Sequence, residues 1–252
     1  MIIEEIVLDS IKQAREFQVT DLCVGLRYTY AIVKVGNEVS VGLAYTPIED
    51  LSSCRLPVRK PSLENILDLA RSINPIEKSI AIAVSNAITN MYYDPPENSI
   101  GKDLLDLMHV GSSDKVLFVG YIGPLIARAL KTGCQVYIVE RNPTRRRDAL
   151  PDTMVYRLLD VVNKLIITGS SIVNETIDVI LEKTPKDVVK AVVGATAACN
   201  PEVLFRHKVD YIASFKPSRE HIKEITELVK MGRGTREIYR YGVKYVVRKS
   251  GL

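Results

Sequence analysis

The run Lys115-Val-Leu-Phe-Val-Gly-Tyr-Ile-Gly-Pro-Leu125, followed soon after by Gln135-Val-Tyr-Ile-Val-Glu140, constrains this chain more than any other stretch. An apolar run, a glycine turn, a helix-length segment and a second apolar run closing on an acid make a βαβ unit. Residues 116–119 are continuously apolar and rich in β-branched side chains, as a strand covered on both faces requires. Gly120 and Gly123 permit a tight turn with close backbone approach. Pro124 suits a first helical position and Gly133 the residue just past the end, which predicts a helix over 125–132. Glu140 falls where dinucleotide-binding units place an acid for a ribose hydroxyl. Gly120-x-x-Gly123 lacks the third glycine of that fingerprint, so the spacing speaks more firmly for the fold than for a dinucleotide.

The rest of the C-terminal half continues the alternation. Strands are predicted over 164–168, 188–193 and 211–215, and helices over 172–183, 201–207 and 219–231. Such alternation implies a parallel sheet with helices on both faces. The tail, from 232 on, reads as a hairpin closing around Tyr241-Gly242. The N-terminal part is different in kind. An amphipathic helix pattern over 4–17 precedes strands at 21–26, 29–35 and 38–44, the last two joined by the hairpin signal Gly36-Asn37. A loop-like stretch over 46–61 carries Pro47, Pro57 and Pro61. Ser62 reads as the cap of a helix through 70, and 76–91 as a helix apolar almost all round. The Asp94-Pro-Pro-Glu-Asn98 segment breaks the pattern, and a boundary there gives domains over 1–97 and 98–252.

The composition limits the partners. Thirty-four basic and 30 acidic side chains leave a formal charge of +4, too small to imply nucleic acid. No apolar run is long enough to span a bilayer and the first residues show no secretory pattern, so a cytoplasmic protein is expected. Cys23, Cys54, Cys134 and Cys199 are scattered without a C-x-x-C pair, which suits reduced thiols.

In open parallel sheets ligands collect beyond the carboxyl ends of the strands. Four loops meet that rule: 120–123, 140–142, 168–171 and 194–200. Exposed amides at helix starts there would attract phosphate or carboxylate, although glycines and serines also simply make good turns. Ser170 and Thr196 belong to this set, and Arg141 with Arg145-Arg-Arg147 forms either an anion site or a solvated basic loop. Asn86 and Asn90 share one face of an apolar helix, so they either bond a neighbouring loop or line a cleft. Cys199 precedes Asn200-Pro201, where helix amides would favour a thiolate able to bind metal, whereas a buried inert thiol is the plainer alternative. Cys54 beside Arg55 raises the same question. His109, His207 and His221 stand far apart, without metal-ligand spacing. In the tail, Lys230, Arg233, Arg236, Arg240, Lys244, Arg248 and Lys249 are interleaved with Tyr239, Tyr241 and Tyr245. That pattern fits single-stranded nucleic acid or, better, a charge-protected sheet edge.

Several of these loops together carry a resemblance. Val119-Gly-Tyr-Ile-Gly-Pro-Leu125, Val139-Glu-Arg-Asn-Pro143 with Leu150-Pro-Asp152, Ile167-Thr-Gly-Ser-Ser-Ile-Val-Asn-Glu-Thr176 and Val193-Gly-Ala-Thr196 resemble the heavy-metal-chelation family, formerly a domain of unknown function. Ser85-Asn-Ala-Ile-Thr-Asn90 and Gly42-Leu-Ala-Tyr-Thr46 are similar to its companion N-terminal domain. The resemblance implies an α/β protein with a small α+β, enolase-N-like first domain and a Rossmann-like second one, with a cleft between. It also implies heavy-metal chelation, or handling of a metal-chelating, pterin-like or flavin-like compound, without supplying a catalytic residue. By its motifs Gly120, Tyr121, Gly123 and Pro124 form the glycine loop, Glu140, Asn142 and Pro143 the acid loop, and Thr168, Gly169, Asn174 and Thr176 the third loop. This chain departs from the family at Gly194-Ala-Thr196, where Gly-Pro-Thr is more usual, and at Cys199. The ligand expected is a small molecule, a metal ion or its complex, or a nucleotide-type cofactor such as NAD or S-adenosylmethionine. A homo-oligomer is left open.

Overall fold

The computed structural model of the protein describes residues 1–53 and 58–250. Cys54, Arg55 and Pro57 lie outside the described residues. Helix α1 (Ile2–Gln13) opens the chain and leads into an antiparallel meander of β1 (Gln18–Val24), β2 (Tyr28–Val35) and β3 (Glu38–Tyr45). The helix ends sooner than its apolar pattern suggested, because Ala14 already takes an extended conformation on the way to β1. Gly36 turns the β2–β3 hairpin at φ 57°. The pairing then runs in register from Val35–Glu38 back to Tyr28–Tyr45.

Helices α2 (Ile66–Ala70) and α3 (Pro75–Tyr92) follow. Ser62 does not cap α2. Its N–H instead donates to Asn65 Oδ1 within a turn, and the helix starts later. Asn74 caps α3, its side chain accepting from the Ile76 N–H with proline next in line. The helix lies directly on β3 because Gly42 has no side chain. A Cβ there would stand 2.1 Å from the Ala83 carbonyl oxygen and 2.2 Å from the Ala87 nitrogen. β3 is a sheet edge, and α3 satisfies it. The Val41, Leu43 and Tyr45 carbonyls accept from Asn90 Nδ2 (3.0 Å), Asn86 Nδ2 (2.8 Å) and Ser79 Oγ (2.7 Å). Polar side chains on an otherwise apolar helix thus stand in for a missing strand.

The second half begins with α4 (Leu104–Leu107), β4 (Lys115–Val119), α5 (Gly123–Lys131) and β5 (Gln135–Glu140). A two-residue β6 (Leu150–Pro151) and α6 (Val155–Leu158) come next, then β7 (Lys164–Thr168), α7 (Ser170–Val173) and α8 (Thr176–Lys183). The chain closes with β8 (Val189–Val193), α9 (Pro201–Arg206), β9 (Tyr211–Pro217), α10 (Ile222–Lys230), α11 (Thr235–Ile238) and β10 (Gly242–Arg248). The strands order as β10-β9-β8-β7-β4-β5-β6, parallel except for β10, which runs antiparallel to β9. With β4 counted as first, the parallel strands follow the 3-2-1-4-5-6 order of a Rossmann sheet.

Two expectations fail locally. The helix over 172–183 is interrupted where Glu175 adopts φ 60°, while Asn174 Oδ1 accepts from the backbone and hydroxyl of Thr176. The tail is no hairpin. Residues 235–238 are helical, and β10 returns alone along β9. Tyr239 is drawn inward to stack on Phe215 at 4.5 Å, which removes that stretch from any strand.

Three packed clusters hold the molecule together. One face of the large sheet (Val116, Phe118, Ile166) is covered by α4 and α5. Its other face (Leu117, Leu165, Val192) packs on α6 to α9, and this core runs without a break into α1, α3 and the inner face of the small sheet. Tyr30, Val41 and Leu43 point to the opposite face of the small sheet, where α10 and α11 cover them together with Phe215. The C-terminal helices therefore wrap the N-terminal sheet, and apolar burial, worth about 25 cal/mol per Å², is shared between the two halves.

Candidate functional site

Strand order reverses between β4 and β7, so the loops leaving their carboxyl ends diverge and open a crevice. Gly120 makes that crevice possible. It sits at φ 95°, and a Cβ would meet Thr168 Cγ2 at 2.7 Å. Around it lies a cavity of about 890 Å³, within the range of cofactor-sized sites.

Gly120, Tyr121, Gly123, Pro124, Glu140, Thr168, Gly169, Ser170, Asn174 and Thr196 all line this cavity. Asn142, Asn86 and Cys199 do not. Asn142 is buried in its own loop, where Oδ1 accepts from the N–H and hydroxyl of Thr144. Asn86 is wholly buried at the joint between the two sheets, where Nδ2 reaches the Thr196 (3.1 Å) and Ala195 (3.3 Å) carbonyls as well as Leu43. Beside it the Tyr45 N–H donates to Thr196 Oγ1. Cys199 is buried in the core, and burial pushes its thiol up to about 12. Desolvation outweighs any pull from the helix amides, which favours the buried, inert thiol over a thiolate.

The loop amides, too, differ from expectation. The Gly120 N–H donates to the Val139 carbonyl, the Tyr121 N–H to Glu140 Oε2 and the Ile122 N–H to the Gly120 carbonyl. Gly169 and Gly194 donate to Val193 and Ala213, and Ala195 to the Tyr239 hydroxyl. Glu140 also accepts from the Asn142 N–H through Oε1. Its carboxylate braces two loops, and most of these amides are not free for an anion.

Positive charge comes from side chains instead. Six cationic residues line the cavity against four acids, and the pairing is uneven. Arg141 bonds Asp50 at 2.9 Å. Arg27, Lys102, Arg145, Arg236 and Lys244 have no ion-pair partner among the described residues. Three of the acids are already engaged: Glu49 by the Tyr45 hydroxyl, Asp103 by the α4 amides and Arg128, and Glu140 by amides. The field inside the cavity is accordingly positive.

Tyrosines form the remaining wall. Burial pushes Tyr28 up to about 12, and burial with the Glu49 bond pushes Tyr45 higher still, so both remain protonated donors at neutral pH. Tyr28 and Tyr45 are cross-strand neighbours, and Arg145 lies over the Tyr45 ring at 5.9 Å. Tyr239 and Tyr245 are likewise raised by burial. Because Tyr239 and Tyr245 are packed against the protein, they are not open platforms for nucleic-acid bases. Sequence reasoning missed Arg27, Tyr28, Tyr45 and Lys102 as site residues, and it read Tyr239 as part of a basic sheet edge. A signal did exist for two of them: counting back pairwise from the Gly36-Asn37 turn puts Tyr28 opposite Tyr45 at the open end of the hairpin.

No group of three or more His, Cys, Asp or Glu among the described residues could hold a metal ion. The described side chains therefore do not fit a resident heavy metal. No helix among them is long and apolar enough to cross a membrane.

These features define a mixed α/β protein in which a small antiparallel sheet completes the switch-point cavity of a Rossmann-like sheet. The chain belongs to a family whose two models, both described as "Putative heavy-metal chelation", match residues 8–89 and 103–248. It is 30% identical to an uncharacterized protein of Methanocaldococcus jannaschii over 227 residues, 86% of either chain. Among solved structures it is similar to a Pyrococcus horikoshii family member of unknown function, with TM-score 0.88, 29% identity and coverage of 99% of this chain and 100% of that one. A Desulfitobacterium hafniense member, also of unknown function, matches at TM-score 0.71 and 23% identity over 98% of each chain, a likeness of fold.

Proposed function

We propose that the protein binds a small, metal-chelating anion, alone or as its metal complex, in the switch-point cavity. Guanidinium and ammonium groups hold the anion, and protein–metal bonds contribute little. One observation carries this reading: among the described residues, the cavity has five cations without an ion-pair partner and there is no cluster of metal-ligating side chains. Chelators are rich in carboxylate or phosphate oxygens, which are what such cations recognise. A metal arriving already complexed needs no protein thiolate.

A thermal-shift panel tests it. Citrate and pyrophosphate, each with and without Zn²⁺ or Fe³⁺, should raise the unfolding midpoint in a saturable way. A ligand at a hundred times its Kd stabilises by about 2.7 kcal/mol. The same metal salts alone should do little. Stabilisation by metal alone would refute the reading.

The strand order favours a second one, a nucleotide cofactor such as NAD or S-adenosylmethionine at the Gly120–Gly123 loop. A midpoint raised only by those compounds, and lost in Glu140→Ala, would establish it in place of the first.

A further inference from the structure

The Tyr239 hydroxyl oxygen accepts from the Ala195 N–H at 3.0 Å. An oxygen that accepts there still has its own proton to give, and Tyr28, which shares the cavity wall and interacts with Tyr239, is the phenol placed to take it. Once Tyr28 accepts from Tyr239, its own proton must point elsewhere. Tyr28 lines the cavity, and no other partner for its hydroxyl exists among the described residues. The field it points into is set by Arg27 and Arg145, both of which act on the Tyr28 phenol. Arg27 passes beside Gly234, and Arg145 lies over the ring of Tyr45, the cross-strand neighbour of Tyr28. An amide, two phenols and two guanidinium groups thus belong to residues that line one cavity, contributed by Arg27 and Tyr28, the 140s loop, the β8 turn and the residue after α11.

Resting on the anion-binding reading above, we propose that Tyr28 determines the ligand's chemistry: its hydroxyl donates to a deprotonated carboxylate or phosphate oxygen lying between Arg27 and Arg145. Tyr239 is the positioning residue, fixing the direction in which Tyr28 donates. A chain of donors of this kind polarises link by link, so the last proton is a stronger donor than an isolated phenol. Burial keeps that proton in place across the neutral range. A ligand bearing a neutral amide at this point would be discriminated against, because the amide brings its own hydrogens up to three donors.

Calorimetric titration of the full chain with inorganic pyrophosphate tests the assignment, alongside NMR of the protein carrying ¹³Cζ-tyrosine. Tyr28→Phe should weaken binding by roughly tenfold or more, as loss of a hydrogen bond to a charged group does. Arg145→Ala should weaken it comparably. Tyr239→Phe, which keeps the Tyr28 hydroxyl but releases its direction, should weaken it by only about threefold. Pyrophosphate should move one tyrosine resonance that is absent from Tyr28→Phe. If Tyr28→Phe binds within about twofold of wild type while Arg145→Ala loses binding, the anion site stands and the role of Tyr28 falls. Failure of wild type to bind pyrophosphate removes both. Should Tyr28→Phe not fold, the wild-type resonances decide: no tyrosine signal moving at saturation overturns the proposal.

Discussion

Asn86→Ala examines how the two sheets are joined. Asn86 Nδ2 carries two hydrogens and faces three carbonyls, Leu43 at 2.8 Å, Thr196 at 3.1 Å and Ala195 at 3.3 Å. Truncation leaves the Leu43 and Thr196 carbonyls without a donor, Ala195 still accepting from the Ala198 N–H, and each loss costs about 1–3 kcal/mol. Part is returned, because Asn86 Oδ1 is itself buried without a partner and its removal relieves that penalty. The net loss is about 2–4 kcal/mol, which for a chain of this length lowers the melting midpoint by roughly 5–12 °C. Asn90→Ala is the control. It sits one turn along the same helix and satisfies only the Val41 carbonyl, so it should cost about 1–2 kcal/mol. Urea unfolding followed by circular dichroism would read both. Asn86→Ala should also weaken pyrophosphate binding, since Thr196 lines the cavity and is tied to Tyr45 at the same joint. Equal midpoints for the two variants would refute the argument that Asn86 joins the sheets.

Two further predictions concern ionisation. Glu77, a mainly buried acid on α3, receives Arg59 Nε and a terminal nitrogen at 2.8 Å each, and chiefly that pairing lowers its pKa from 4.5 to about 2. A depressed carboxylate pKa stabilises the fold above the unfolded value and ceases to do so as pH falls through the folded one. Urea midpoints should therefore drop between about pH 4.5 and 2 more steeply in wild type than in Arg59→Ala. For Cys199, whose thiol is raised to about 12 by burial, iodoacetamide at neutral pH should leave the residue unmodified in the folded protein and label it after denaturation. Mass spectrometry of the digest reads both states, and labelling of the native protein would count against a buried, neutral thiol.

How much of this was written plainly in the chain follows from the range of the forces involved. The 115–140 unit is legible because its apolar run, its φ-positive Gly120 and its C-terminal Gly133 each answer to a local requirement. The hairpin at Gly36-Asn37 is legible for the same reason. The tail misled because interleaved charge and aromatic residues suit an edge hairpin locally, while the stacking of Tyr239 on Phe215 and its bond to Ala195 are decided by distant parts of the chain. Ten of the twelve candidate ligand-binding residues line one cavity, because strand ends in a parallel sheet converge by topology. Arg27 and Tyr28 could not be read in that way, since nothing local says that the open end of the N-terminal hairpin faces the carboxyl ends of β4 and β8, and Lys102 lies in the connection before α4, which no strand end marks. At Cys199 the sequence left two readings open, a helix-activated thiolate and a buried inert thiol, and the packing of α1, α9 and the sheet decides for the second.

The glycine loop, finally, bears on which wall of the cavity does the recognising. A Rossmann loop grips pyrophosphate when its amides are unoccupied. Here the amides of residues 120–122 are all engaged, one of them by the Glu140 carboxylate. A phosphate brought to that amide would lie some 4 Å from a like charge, a repulsion of about 4 kcal/mol at an effective dielectric of 20. That exceeds the 1.5–3 kcal/mol or so that one charged hydrogen bond supplies. Under the proposed anion-binding reading, the anionic end of a ligand turns away from the loop that the sequence makes most conspicuous. It turns toward Tyr28 and toward Arg27 and Arg145, which have no ion-pair partner among the described residues, while the β4 loop keeps the shape of the crevice.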